Sequence, residues 1–368
     1  MVIGVPKEIK TGETRVSMTP DICRRIVRLG AKVVVERAAG LDSGFTDAEY
    51  RSAGAKLESR AAGIWASADL VLKVKEPLPA EYPLMRRGQA LFTYLHLAAG
   101  PGLAEVLMEK EILGIAYETV EGVDRSFPLL KPMSHIAGRL AIQVGAYFLQ
   151  SQHGGSGVLL GGIPGTLPGH VVVVGAGNSG AHAVQMAVGM GARVTVLDVD
   201  TRKLEQLDTE YRGRVVTLVS NPVNVETSVA AADLLIGAVL VPAAKAPIVV
   251  ARRDIAHMRP GSVIVDIAID QGGCIDGIRP TSHRQPVYRQ DDVIHYAVPN
   301  MPALVGRTST IGLTQATELY VALIAEKGVE RVLAENPGLA KGVNTRGGKV
   351  LCAAVAHALQ HEHAAFRH

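Results

Sequence analysis

The chain has 368 residues, enough for two domains of ordinary size, and its apolar fraction of 48% is what sizeable globular cores require. A formal net charge of +3 is too small for this length to point to nucleic acid or an anionic membrane as partner. Cys23, Cys274 and Cys352 lie far apart and form no Cys-x-x-Cys pair, so neither a disulfide framework nor a metal site is expected, and a reducing compartment fits.

The first ten residues, MVIGVPKEIK, lack the apolar core of a signal peptide, and a cytoplasmic location is expected. Strands are predicted at 2–5, 32–36, 69–74, 90–93 and 114–118, where β-branched and apolar residues cluster. Between them, Thr19-Pro20 reads as an N-cap followed by proline at the first helical position. Thr46 and Glu49 have the capping-box spacing, in which each end satisfies a backbone donor of the other. Strands alternating with helices imply βαβ units and a mostly parallel sheet.

A long helical segment from 134 to about 150 leads to a second series, with strands at 171–174, 193–197, 215–219, 234–237 and 262–266. Helices are predicted near 179–190, 201–210 and 225–232, and a long amphipathic one at 308–327 is closed by Gly328. No Asp, Glu, Lys or Arg occurs between Leu140 and Ala192, but Gln, His, Gly and Pro interrupt the run. A membrane span needs about 20 continuous apolar residues, so a buried core and cofactor crevice is the better reading. The loop at 154–168 is glycine-rich but lacks the Lys-Ser/Thr of a P-loop, and reads as a linker between domains. The fold class expected is α/β with two doubly wound domains. The second series is complete in itself, so the C-terminal helices are expected to pack back on the first domain.

HVVVVGAGNSG places Gly175, Gly177 and Gly180 in Gly-x-Gly-x-x-Gly spacing, directly after four valines and before a helical pattern. The first glycine permits the tight turn, the second lets backbone approach a pyrophosphate, and the third allows close helix–strand packing. The helix N-terminus then presents N–H groups and a positive dipole end to phosphate. Asp198 ends the next strand, 18 residues after Gly180, near the spacing of a ribose-binding acid. A carboxylate there accepts from ribose hydroxyls and repels a 2′-phosphate, which favours NAD over NADP. A lone glycine motif is weak, and its bland reading is a structural turn with a helix-capping Asp; the strand, helix and acid around it decide for the dinucleotide.

Polar residues at the C-terminal ends of parallel strands mark where such sheets bind ligands. Lys75 follows the strand at 69–74, His96 follows 90–93, Asp270 follows 262–266, and Arg15 lies after the first strand. Singly, each has an ordinary explanation: a solvated Lys, a structural His, an Asx-turn before Gly272-Gly273, a surface Arg. Jointly they are what an amino- or hydroxy-acid dehydrogenase requires. Two cations clamp a carboxylate, Arg bidentately, and a His exchanges protons with the reacting group. A carboxylate stabilises a cationic intermediate or orients water.

VPKEIKTGETRVSMTP, SGFTDAEY, DLVLKVKEPLPAEYPLM, LFTYLHLAA, AYETVE, LLGGIPG, GAVLVPAAKAP, VIVDIAIDQGGC and PNMPALVGRTST resemble the successive motifs of the alanine dehydrogenase family, from Val2 to about Leu359. The resemblance implies that Arg15 and Lys75 hold the carboxylate of alanine or pyruvate, that His96 is the general acid/base, and that Asp270 is the second catalytic group. It implies NAD contacts at Ser134, Gly175, Gly177, Asn178, Ser179, Gly180, Asp198, Lys203, Ser220, Val239, Leu240, Ile267, Ala268, Ile269, Asp270, Arg279, Val298, Pro299, Asn300 and Met301. It further implies a Rossmann NAD domain (129–306) inserted into a discontinuous catalytic domain (1–128 and 307–368), and a homo-hexamer. The substrates implied are L-alanine, or pyruvate with ammonium, in a reversible oxidative deamination, with no membrane or nucleic-acid partner. The sequence departs from the family pattern at His135, where an acid is expected. It departs also at Ala303 and Gly306, which replace a glycine and a proline, and at Asn178-Ser179, where small apolar residues are expected. The rival readings are the NAD-binding subunit of a proton-translocating transhydrogenase, a non-catalytic NAD-binding sensor, and a sister dehydrogenase of another amino or imino acid. The absence of an apolar span and the YLH and AIDQGG contexts favour alanine dehydrogenase over the first. The four placed polar residues argue against the second.

Overall fold

The computed structural model describes residues 1–99, 101–239, 246–360 and 364. In chain order its strands are β1 (Val2–Val5), β2 (Lys32–Glu36), β3 (Lys56–Glu58), β4 (Leu70–Leu72), β5 (Ala90–Thr93), β6 (Leu113–Ala116), β7 (His170–Val174), β8 (Arg193–Asp198), β9 (Val215–Val219), β10 (Leu234–Gly237), β11 (Val263–Asp266), β12 (Val287–Gln290), β13 (Val293–Tyr296), β14 (Val343–Arg346) and β15 (Lys349–Val350). They form two sheets, ordered β15-β14-β6-β5-β4-β1-β2-β3 and β12-β13-β11-β10-β7-β8-β9. Two compact units result: unit one comprises Met1–Met133 and Ala303–His368, unit two Ser134–Val241 and Lys245–Pro302.

Within unit one, β1 to β6 pair in parallel, with Val2 opposite Lys32 and Leu70 opposite Ala90. Strands covered by helices on both faces read as unbroken apolar runs, and β4, β5 and β6 are buried at every position. The helix Pro20–Arg28 begins as the sequence predicts, with the Thr19 hydroxyl accepting from the Ile22 N–H at 3.3 Å and Pro20 at its start. The capping box at Thr46 and Glu49 is also present. Strand order reverses between β4 and β1, so the loops after β1, β4 and β5 emerge side by side at one sheet edge, the position where α/β sheets place ligands. The C-terminal part adds the helix Gly306–Lys327 and the antiparallel pair β14 and β15, with β14 antiparallel to β6.

Unit two repeats the logic. Strands β7 to β11 and β13 are parallel, β12 alone is antiparallel, and the order reverses between β7 and β10. Val172, Val174, Leu235 and Ile264 pack with Val229, Ile255 and Cys274 in its core. The helices Asn178–Gly189, Thr201–Tyr211 and Pro222–Ala230 match those expected within a few residues. Among the described residues no helix is long and apolar enough to cross a membrane.

Two strands end two residues earlier than the sequence reading. The predicted strand at 69–74 narrows to β4, although Lys73 N–H and Val74 C=O still bond to Phe92 and Tyr94. The strand at 114–118 stops at Ala116, because Tyr117–Thr119 turns into a 3₁₀ helix. Strands β3, β12, β14 and β15 carry too short or too polar a pattern to have been predicted, whereas β13 (VIHY) is buried throughout and as long as β10, and is absent from the predicted strands all the same.

Candidate active site

In unit one the turn after β1 carries Glu13 and Arg15, both buried. The guanidinium is gripped bidentately by Glu13, with Nε to Oε1 at 2.7 Å and Nη2 to Oε2 at 2.6 Å, and its Nη1 reaches Met133 Sδ at 3.2 Å. Burial works against the charge of Arg15, but the hydrogen bonds and charge of Glu13 outweigh it and raise its pKa. A permanently charged, planar cation held in place is suited to a carboxylate ligand.

Lys75 follows β4 and is also buried. The segment before it is fixed by Lys73, whose ammonium is 1% exposed and pairs with Glu8 at 3.0 Å and Glu81 at 2.9 Å. Glu8 accepts in addition from the Val74 N–H at 2.6 Å, and Thr93 Oγ1 donates to the Lys75 carbonyl at 3.0 Å. Burial opposes the charge of Lys73, and its two carboxylates more than restore it, so its pKa lies above the ordinary value.

His96 follows β5 with φ +48, a left-handed backbone that costs a non-glycine residue about 1 kcal/mol or more. A buried carboxylate holds it there: Glu118 accepts from the His96 N–H at 2.6 Å and from the Leu95 N–H at 3.1 Å. The imidazole stacks on Tyr94, ring centroids 5.8 Å apart, and its Nε2 is 3.4 Å from Lys75 Nζ. Burial, then the charges of Lys75, Lys10 and Arg15, hold the His96 pKa well below its ordinary value. The ring is therefore neutral near pH 7, with Nε2 free to accept from a cationic donor. Arg15, Lys75 and His96 thus come from three adjacent loops at one edge of a single sheet.

The turn carrying Arg15 is also braced by the C-terminal part of unit one. Val16 N–H donates to Thr310 Oγ1 at 3.1 Å, and Thr14 Oγ1 donates to the Ala303 carbonyl. A Cβ on Gly306 would lie 2.4 Å from Thr14 Oγ1, so glycine at this departure from the family pattern permits a closer approach of the helix than any other residue.

In unit two the three glycines of the motif do three different things. Gly175 has φ +102, and a Cβ there would meet the Ala238 carbonyl oxygen at 2.7 Å; one on Gly180 would meet the Gly175 oxygen at 1.7 Å. A Cβ on Gly177 would meet nothing within 4 Å, leaving open space over the backbone where the motif lays a pyrophosphate. The helix Asn178–Gly189 has no side-chain cap at its start, so its first N–H groups stay available to phosphate. Asp198 ends β8, is buried, and ties the loop down by accepting from Ala176 N–H at 2.6 Å and Asp200 N–H at 2.8 Å; Lys203 Nζ lies 3.6 Å away. This cradle of glycines, free helix N–H groups and a strand-end acid fits a dinucleotide.

The remaining residues expected around that cradle fall at neighbouring strand ends. Ser220 follows β9 and its N–H bonds the Asp198 carbonyl at 3.0 Å. Val239 follows β10 and sits 3.1 Å from the would-be Cβ of Gly175; Leu240 lies outside the described residues. Ile267, Ala268, Ile269 and Asp270 form the 3₁₀ turn Ile267–Gln271 after β11. Asp270 is exposed, and both its oxygens accept from the Asn300 N–H, at 3.2 and 3.1 Å. Asn300 has φ +62, and Val298 and Met301 beside it are buried, with Pro299 half-buried. Arg279 is exposed and covers the Tyr288 ring at 4.3 Å. Ser134 lies on the helix Lys131–Phe148, which approaches the glycine loop so closely that a Cβ on Gly138 would be 2.0 Å from the Ser179 oxygen. The ring of His135, where the family pattern has an acid, lies 3.8 Å from that of His182 and tilted to it by 40°, and Arg139 donates to His182 Nδ1 at 3.3 Å.

Four groups carry the site without having been singled out in the sequence: Glu13, Glu118, the Glu8–Lys73–Glu81 cluster and Asp266. The available signal was an acid or base inside an apolar run, as in LGIAYE, VLKVK and VIVD. A charge in such a place needs a partner.

Two doubly wound units, one with a cation–imidazole cluster and one with a dinucleotide cradle, define a nucleotide-dependent α/β enzyme architecture. The family models described as alanine dehydrogenase/PNT, N-terminal domain and C-terminal domain match residues 4–137 and 141–353. The chain belongs to the alanine dehydrogenase/PNT family. It is 54% identical to an alanine dehydrogenase of Methanococcus maripaludis over 97% of this chain and 96% of that one. It is 51% identical to that of Bacillus subtilis over 99% and 96%. Among solved structures it is similar to an L-alanine dehydrogenase, with a TM-score of 0.94, 50% identity and coverage of 98% and 99%. A transhydrogenase from Sinorhizobium meliloti is more distant, at a TM-score of 0.82 and 25% identity, covering 96% of this chain and 100% of that one.

Proposed function

We propose that this protein is an NAD-dependent L-alanine dehydrogenase, catalysing the reversible oxidative deamination of L-alanine to pyruvate and ammonium. The observation that carries the reading is the grouping of Arg15, Lys75 and a neutral His96 on adjacent strand ends. Bound NAD would be held by the glycine loop, the helix N-terminus and Asp198, and would supply the acceptor for the Cα hydride. Arg15, fixed bidentately by Glu13, orients the substrate carboxylate, and Lys75 adds the second positive charge. His96, kept neutral by burial and by surrounding cations, takes a proton from the attacking water and returns one to the departing amine. Asp270 stabilises the cationic nitrogen electrostatically once the Cα–H bond is broken. The carboxylate of Asp198 favours NAD over NADP, because a 2′-phosphate would face it.

The test is NADH oxidation with pyruvate plus ammonium. His96→Ala and Asp270→Asn are each expected to lose several orders of magnitude in kcat while still binding NADH; near-wild-type turnover in both would sink the assignment. Glyoxylate and larger 2-oxo acids in the same assay separate alanine from other substrates, and NADPH in place of NADH tests the cofactor. A homo-hexamer in the cytoplasm is the further expectation, checked by light scattering on the purified protein and by cell fractionation.

A further inference from the structure

Asp266 is the last residue of β11 and has no exposed surface. Its Oδ1 accepts from the Ala268 N–H at 2.8 Å and its Oδ2 from the Cys274 N–H at 2.9 Å, so one carboxylate clamps both ends of the 267–274 loop. Inside the clamp, Gly272 N–H bonds the Ile269 carbonyl and Gly273 N–H the Ala268 carbonyl, both at 3.0 Å. Gly272 and Gly273 make the reversal with φ +92 and +82. Two glycines also wall the carboxylate in: a Cβ on Gly273 would lie 2.9 Å from Oδ2, and one on Gly237 would lie 3.2 Å from Cγ. No cation is paired with it among the described residues.

We propose that Asp266 is a positioning residue of this protein's dinucleotide site: its carboxylate sets the backbone of Ile267, Ala268, Ile269 and Asp270. The inference rests on the reading of unit two as the NAD site. The chemistry requires a carboxylate, because both gripped groups are donors. An amide has one acceptor oxygen, and its NH₂ would face one of the two N–H groups. The clamp keeps an unpaired charge in an apolar place, and burial accordingly pushes the Asp266 pKa up to about 6. Its titratable neighbours are silent there. The Cys274 thiol is pushed far up by burial and by Asp266 itself, and Tyr288, covered by Arg279, is also raised by burial. The grip therefore loosens as pH falls below about 6.

The experiment is NADH fluorescence titration of the full-length protein at pH 7.5 and 5.5 (roughly either side of that transition), for the wild type, Asp266→Asn and Cys274→Ala. Wild-type affinity is expected to fall at the lower pH. Asp266→Asn is expected to bind about tenfold more weakly at the higher pH, the equivalent of one lost bond, and to show little further pH dependence. Its kcat falls with it. Cys274→Ala keeps both gripped N–H groups and removes only the 3.8 Å thiol contact to Asp266 Oδ1, so its loss of affinity is expected to be smaller than that of Asp266→Asn. A folded Asp266→Asn protein with wild-type affinity, or with the wild-type pH slope, overturns the proposal. So does a wild type whose affinity is flat between the two pH values, a result that needs no variant. Failure of the functional reading looks different: NADH would bind with its pH slope intact while alanine and pyruvate gave no turnover.

Discussion

In unit one, Arg15 is held by Glu13, Lys75 by the frame around Lys73, and His96 by Glu118, so every proposed functional side chain leans on a buried charge. In unit two, the cradle is shaped largely by missing side chains: Gly175, Gly177, Gly180 and Gly138 each mark a place where two backbones meet or where a ligand needs room. The difference follows from what each binds. A small substrate has few atoms, and its recognition needs fixed full charges, which only charged side chains supply and only buried counter-charges hold still. A dinucleotide is long and its pyrophosphate is met by N–H groups, so the chain must come close rather than reach out. Unit one should therefore be sensitive to the loss of a buried charge, and the glycine cradle of unit two to any added side-chain volume.

The largest expected effect tests the charge side. Lys73→Met leaves Glu8 and Glu81 buried without their cation, and breaking a buried pair in this way costs about 3–5 kcal/mol of stability. Replacing all three together, with Glu8→Gln, Lys73→Met and Glu81→Gln, is expected to recover most of that loss in urea unfolding. A single Lys73→Met that unfolds like the wild type would show that the cluster is not what holds the Lys75 segment.

The glycine side breaks next. A Cβ on Gly180 would sit 1.7 Å from a backbone oxygen that cannot move without undoing the turn, so Gly180→Ala is expected to cost about 3 kcal/mol and to abolish NADH binding. Gly177→Ala meets nothing in the protein. It should leave the melting temperature unchanged and weaken NADH binding about tenfold, because only the ligand feels the methyl group. If the two substitutions behaved alike, the division of labour among the glycines would be wrong.

These contrasts also explain what was legible in the sequence. The glycine cradle was readable because its function depends on local spacing: Gly175 to Gly180 and Asp198 are joined by one βαβ unit, and each role follows from backbone geometry. Arg15, Lys75 and His96 were readable as polar residues at strand ends, since topology carries such residues to one sheet edge. Their supports were not, because Glu8 meets Lys73 and Glu118 meets His96 across separations of 65 and 22 residues, which no local pattern encodes. The antiparallel pair β14 and β15 escaped for a related reason. Val343–Arg346 is short and mostly polar, and it is a strand because β6 presents an open edge to it.

Glu118 offers a cleaner cut than Lys73, because its amide is nearly the same shape. Glu118→Gln keeps one acceptor oxygen but sets an NH₂ against the N–H of Leu95 or His96. The left-handed backbone at His96 then relaxes, and kcat is expected to fall about a hundredfold, or roughly 2.7 kcal/mol, with NADH affinity unchanged. Loss of NADH affinity in step with kcat would mean that Glu118 supports the fold in general rather than the placement of His96.

The smallest effect is a matter of pH. Burial and the neighbouring cations place the His96 pKa well below 6.5 in the folded protein, whereas in the unfolded chain it returns to about 6.5. The unfolded state therefore binds more protons throughout the interval between those values. Stability contributed by the neutral ring is fully present above pH 6.5 and is lost as pH falls through that interval, at up to about 1.4 kcal/mol per pH unit. His96→Gln removes this one contribution and should flatten the acid side of the stability curve by that slope, a difference measurable by urea unfolding at half-unit steps. Asp266 pulls the opposite way, because its raised pKa of about 6 makes the folded state the better proton acceptor as pH falls from there. Asp266→Asn should accordingly steepen the acid loss that His96→Gln relieves. Opposite signs from the two substitutions would establish that each unit keeps its key group in the protonation state its site needs at some cost to stability, a neutral imidazole in one and an unpaired carboxylate in the other.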